Sequence, residues 1–136
     1  MTYLVDSDLV IDHLAGRPEA LALLQQLTAG GLSVSIITYA EVYEGIYGGR
    51  DPKTRERVFR KMLQTMNVLG LSRAVSRRAA RIGSSLRTQG TRLPLPDVLI
   101  AATAVHYDLT LVTRNLKHYE RIPDLKLYRE PAPATR

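Results

Sequence analysis

YLVDSD, residues 3–8, is an apolar run that ends abruptly in two acids, and its reading decides the fold. Tyr3-Leu-Val is too short for a helix and reads as a buried strand, with Asp6 at its end and a helical pattern beginning at about Asp8. Two later stretches have the same form. SIITYAE (35–41) runs into Glu41, and LPLPDVLIAA (93–102) carries Asp97 at the opening of a helical pattern. If such runs are parallel strands of one sheet, their carboxyl ends share an edge, and Asp6, Glu41 and Asp97 converge there. Carboxylates gathered in that way repel one another unless a divalent cation sits among them.

The rest of the chain supports a sheet of that kind. Asp8 to Ala15 reads as a first helix, stopped by Gly16. Pro18 opens a second, which turns Leu21, Leu24 and Leu27 inward and ends at Gly30-Gly31. Leu32 to Ile37 alternates apolar residues with Ser33 and Ser35, as a strand does. Thr38 then caps a helix running to Tyr47, and a fourth helix spans Pro52 to Met66 with Val58, Met62 and Met66 on its inner face. Val68–Leu71 is a short strand, and Ser72 caps a long helix to Gln89. A helix over Asp97–Tyr107, a strand over Leu109–Val112, a turn at Asn115–Tyr119 and an edge strand at Lys126–Arg129 complete the series. Strands alternate with helices throughout, which predicts an α/β fold: one domain over residues 1–130, with a mainly parallel central sheet of about five strands flanked by helices. Residues 131–136 read as a frayed tail. In open parallel sheets, ligands bind beyond the carboxyl ends of the strands, where the acids stand.

Length and composition narrow the function classes. At 136 residues the chain holds one core and no more. No stretch approaches the ~20 apolar residues of a membrane helix, and the first residues lack the pattern of a secretory signal, so a cytoplasmic location is expected. The chain has no cysteine, which excludes disulfides, thiolate metal ligands and a cysteine nucleophile. The net charge of +6 favours a polyanionic partner. With seven Tyr, one Phe and no Trp, the chain has little material for a platform that stacks single-stranded bases. An acidic metal site on a basic protein points to phosphodiester chemistry.

Helix capping alone would explain each acid. Thr38-Tyr-Ala-Glu41 fits a capping box, Asp97 suits a first helical turn, and Asp6 and Asp8 flank a strand-to-helix turn. Their recurrence at junctions that the fold gathers on one edge favours a shared site, and capping leaves a carboxylate with lone pairs to spare. Thr113-Arg114-Asn115 adds a further junction, where Asn115 offers a neutral oxygen to a metal or its water. Arg114 stands beside the proposed site as a candidate contact to substrate phosphate. Arg73, Arg77 and Arg81 recur every four residues on the long helix, either as a solvated face or as a stripe that tracks phosphates. Tyr39, Tyr43 and Tyr47 make a second such stripe, suited to core or to docking. His13, His106 and His118 are scattered and read as surface or packing residues.

On these junctions the chain resembles the PIN-domain ribonucleases, and within them the VapC-type toxins of VapBC toxin–antitoxin pairs. The resemblance covers nearly the whole chain, through YLVDSDLVIDHL, ITYAEVYEGI, LPDVLIAATAVHYDLTLVTRN and KHYERIPDLKL. It implies catalytic, metal-holding roles for Asp6, Glu41 and Asp97, with Asp8 and Asn115 as further candidate ligands and Thr38, Thr113 and Asn115 supporting them. The family often has a fourth acid where Asn115 stands, and Asp-x-Asn is frequent where this chain has Asp6-Ser7-Asp8. The implied cofactor is Mg2+, with Mn2+ as a substitute. The implied reaction is hydrolysis of an RNA phosphodiester by a metal-activated water. The implied partners are an RNA substrate, a VapB-like antitoxin whose arm blocks the site, and a second copy of the chain in a homodimer or larger assembly. Two alternatives remain open at this point. A PIN-like module could bind RNA or protein without cutting, and Asp6-x-Asp8 after a strand also suits a haloacid-dehalogenase-type phosphatase.

Overall fold

Residues 2–130 are described by the computed structural model, so the tail over 131–136 lies outside the described residues. β1 (Tyr3–Val5) leads into α1 (Ser7–Leu14) and α2 (Pro18–Leu27), then β2 (Leu32–Ser35), α3 (Ile36–Gly48) and α4 (Pro52–Leu63). β3 (Met66–Leu69), α5 (Arg73–Thr88), α6 (Leu95–His106), β4 (Thr110–Val112), α7 (Leu116–Tyr119) and β5 (Lys126–Leu127) follow. The five strands form one sheet in the order β3-β2-β1-β4-β5, and every pairing is parallel. The α/β fold with its flanking helices is therefore as the sequence predicts.

Strand alternation divides the core between the two faces of the sheet. Leu4 and Leu111 are register partners and pack with Val75, Ala79, Ile82 and Leu86 of α5 and Val98 and Ala101 of α6. Val5 and Val112, one residue on, face the other way with Leu9 and Val10 of α1, Leu24 of α2, Val42 of α3 and Phe59 of α4. Asp6 continues this alternation toward α6, whose first turn carries Asp97.

Several boundaries differ from the sequence expectation, each for a local reason. β2 stops at Ser35, because the Ser35 hydroxyl accepts the Ile37 N–H at 3.0 Å and caps α3. Ile36 and Ile37 are thus helical, and Thr38 lies inside the first turn instead of capping it. Both serines of β2 are buried, since this inner strand of the sheet is covered on both faces. α4 ends at Leu63, and Met66 opens β3, which lies two residues earlier than expected. The inner face of α4 is built on Phe59 and Met62, whereas Val58 is 45 % exposed. Leu21 is likewise exposed, and Ala20, Leu24 and Leu27 are the residues α2 buries. Tyr39 and Tyr43 pack on Phe59, with ring centroids 5.9 and 5.5 Å away, while Tyr47 at the end of the stripe is 68 % exposed.

Candidate active site

Asp6 sits where β1 turns into α1, in an extended conformation that makes it the N-cap of α1. Capping and site-building are not exclusive here. Its Oδ1 accepts the Ser7 N–H at 2.8 Å, while its Oδ2 accepts the Thr113 hydroxyl at 2.7 Å and the Tyr119 hydroxyl at 3.3 Å. The residue is only 4 % exposed. Burial raises its carboxyl pKa, the Thr113 and Ser7 hydrogen bonds oppose that rise, and the negative charges of Asp8 and Asp97 add to it. The net shift is upward. Burial and the same three acids also push the Tyr119 phenol well up, so it stays a hydrogen-bond donor.

Glu41 is held from α1. The three-residue spacing from Thr38 puts both on one face of α3. Ser7 Oγ donates to Glu41 Oε1 at 2.6 Å and lies 2.9 Å from Thr38 Oγ1. Because the Ser7 proton goes to the carboxylate, Thr38 is the donor to Ser7. Glu41 therefore points to Ser7 and does not fold back on the Thr38 backbone as a capping box would. Ser7 links the two acids, touching Asp6 through its N–H and Glu41 through its hydroxyl.

Asp97 arrives by a different route from that expected. No strand immediately precedes it: Leu93-Pro94 is irregular, Pro94 is the N-cap, and Leu95 and Pro96 already belong to the first turn of α6. α6 runs back along the sheet toward β4, so its first turn lies at the carboxyl edge. There Asp97 Oδ2 stands 2.6 Å from His118 Nε2. Asp8 is exposed in the first turn of α1, close enough to Asp6 for its charge to be felt.

The other candidates divide. Thr113, buried, gives its proton to Asp6 and accepts the Asn115 N–H at 3.1 Å. Asn115 occupies the N-cap position of α7 with its side chain exposed and making no capping bond. Arg114 pairs with Asp12, which also holds Arg17 Nε at 3.3 Å, and the Arg114 side chain remains 59 % exposed. Arg73, Arg77 and Arg81 are all exposed along the outer face of α5. Sequence reasoning missed Ser7 and Tyr119, and read His118 as a surface or packing residue where it in fact meets Asp97. The signals were present in the Ser between the two acids of DSD and in the HY of KHYERIPDL.

The donors are oxygens, as Mg2+ and Mn2+ require. Among the described residues, no three Asp, Glu or His side chains are drawn together as a ready cluster. That is compatible with Mg2+, which is usually held by one or two carboxylates and keeps several waters. A buried Asp6 pressed by the charges of Asp8 and Asp97 fits a cation that would relieve the repulsion.

Comparison with known proteins identifies the family. Residues 3–125 match the model of the PIN domain. Ribonuclease VapC10 of Mycobacterium tuberculosis is 36 % identical over 124 residues, covering 90 % of this chain and 90 % of the relative. Ribonuclease VapC1 of Haemophilus influenzae is 29 % identical over 128 residues, 93 % of this chain and 96 % of the relative. The structure of VapBC-1 from nontypeable Haemophilus influenzae superposes with a TM-score of 0.83 at 26 % identity, over 94 % of this chain and 97 % of that one. The parallel sheet, the acids at its carboxyl edge and these matches together place the chain in the PIN-domain family, among the VapC ribonucleases.

Proposed function

We propose that this chain is the toxin of a type II toxin–antitoxin pair, a metal-dependent endoribonuclease that cuts RNA phosphodiester bonds by hydrolysis. The observation that carries the reading is the carboxyl edge of the sheet, where buried Asp6 feels the charges of Asp8 and Asp97 and Ser7 bonds both Asp6 and Glu41. Asp6, Asp97 and Glu41 would hold Mg2+ or Mn2+, with Asp8 and Asn115 available as further oxygen donors. When bound, such a cation supplies a nucleophilic water and charge stabilisation on the phosphoryl oxygens. The chain's own part is to orient the carboxylates. Thr113 and the Ser7 N–H keep Asp6 fixed and favour its ionised form against burial. Thr38 and Ser7 steer Glu41. The net charge of +6, with Arg73, Arg77 and Arg81 on one exposed face, suits an RNA substrate.

The VapBC-1 likeness supports a VapB-like antitoxin as partner. In this reading the antitoxin's arm lies over the acidic edge, with a basic residue neutralising the carboxylates. Induction of the wild-type chain and of Asp6→Ala in a bacterial host tests the proposal. The wild type alone should arrest growth and yield a discrete RNA fragment, and co-expression of the antitoxin should lift the arrest. Equal toxicity from both chains would refute it.

A further inference from the structure

α7 is a single turn of four residues, yet two of them reach the acidic site in different directions. His118 Nε2 lies 2.6 Å from Asp97 Oδ2, and with Asp97 ionised this nitrogen is the donor. Tyr119, 1 % exposed, donates to Asp6 Oδ2 at 3.3 Å. The two rings meet edge to face, with centroids 5.3 Å apart and planes at 88°, so each limits the rotation of the other. Asp6 follows β1 and Asp97 lies in α6, 91 residues apart in the chain, and one helical turn bonds to both.

The lone pairs show what this does. Asp6 Oδ2 already accepts two hydroxyls, which fills its in-plane positions, while Oδ1 accepts only the Ser7 N–H. Asp97 Oδ2 is engaged by His118, and Glu41 Oε1 by Ser7. Among the described residues, Asp97 Oδ1 and Glu41 Oε2 have no protein donor, and Asp6 Oδ1 keeps one position open. Asp97 and Glu41 thus each turn one oxygen to the protein and offer the other, while Asp6 bonds through both and keeps its open position on Oδ1.

We propose that His118 and Tyr119 are positioning residues that make Asp97 and Asp6 bind the cation through one oxygen each. The inference rests on the metal-site reading above. Single-oxygen carboxylates suit the small six-coordinate cations Mg2+ and Mn2+, whereas Ca2+ readily takes bidentate carboxylates and more ligands. Outer-shell partners of this kind typically change metal affinity by about 10–100-fold when removed.

Calorimetric titration of the purified full chain with Mn2+ and with Ca2+ tests this, on wild type, His118→Ala, His118→Gln, Tyr119→Phe and Asp6→Ala. Thermal melting in EDTA confirms that each variant is folded. His118→Ala should weaken Mn2+ binding at least about tenfold and narrow the preference over Ca2+. His118→Gln, which keeps an N–H donor, should recover part of both. Tyr119→Phe keeps the buried ring and should weaken Mn2+ binding about tenfold, at the low end of that range because its bond is the longest on Asp6. If wild type binds Mn2+, Asp6→Ala does not, and the His118 and Tyr119 variants bind like wild type, the positioning role is refuted while the metal site stands. If wild type itself binds neither cation, the metal-site reading fails and takes the inference with it.

Discussion

Ser7→Ala is the sharpest perturbation of the scaffold, because one hydroxyl lies between α1 and α3. Its proton goes to Glu41 at 2.6 Å, a length typical of a charge-assisted O–H···O bond. Such bonds contribute about 1.5–3 kcal/mol net. Glu41 is only partly buried and can recover water, so the lower part of that range applies, about 1.5–2 kcal/mol. The substitution also strips the fully buried Thr38 hydroxyl of its acceptor. That loss is softened if Thr38 turns to a carbonyl of the preceding turn, and adds about 1 kcal/mol. The Ser7 N–H to Asp6 survives. The total is about 3 kcal/mol, or roughly 10 °C of Tm for a domain of this length. Urea denaturation in EDTA should be run as a double-mutant cycle with Glu41→Ala, which isolates the Ser7–Glu41 term. A coupling of about 1.5–2 kcal/mol is expected. A coupling below about 0.5 kcal/mol, the range of independent sites, would refute the argument that Ser7 holds Glu41.

Further outcomes follow from the charges. The Asp6 carboxyl is raised above its ordinary 3.8, first by burial and then by Asp8 and Asp97, so the folded chain holds this proton more tightly than the unfolded chain does. The contribution of Asp6 to stability therefore falls as pH rises from 3.8 through the raised value, and it stays low above that. Metal-free Asp6→Asn should accordingly gain on wild type across that window, read as Tm against pH; a variant that loses ground as pH rises would contradict the sign. For the α5 stripe, replacing Arg73, Arg77 and Arg81 together by Ala should lower the slope of log affinity for single-stranded RNA against log salt by about 2. The cleavage-deficient Asp6→Ala background permits that measurement, and an unchanged slope assigns the stripe to solvent.

Much of this arrangement was legible in the sequence, and the parts that were not share a cause. Tyr3-Leu-Val and Leu109–Val112 show as strands because a strand buried on both faces reads as a near-continuous apolar run, interrupted here only at Thr110. Asp6 is visible because a carboxylate at the end of such a run must either cap or bind. The wrong cap for α3 arose because Ser35 and Thr38 are both good N-caps. The pairing of Ser35 with Leu69 in β3 extends β2 to the position from which Ser35 caps, a fact of tertiary register. Asp97 was expected at a strand end, yet it reaches the same edge through a helix running the opposite way. Ser7 and Tyr119 escaped notice, and His118 was read as a surface or packing residue, because their partners lie 34, 113 and 21 residues away. A hydroxyl or imidazole has no periodic signature, and only the folded chain shows which acid it meets.

Cleavage of bacterial RNA by the purified chain, with product ends mapped, tests the central claim most directly. Discrete fragments should form in Mg2+ or Mn2+, disappear in EDTA, and fail to form with Asp6→Asn or Asp97→Asn variants that remain folded. Cleavage that persists in chelator, or wild-type protein that binds RNA in Mg2+ and leaves it intact, would contradict the account.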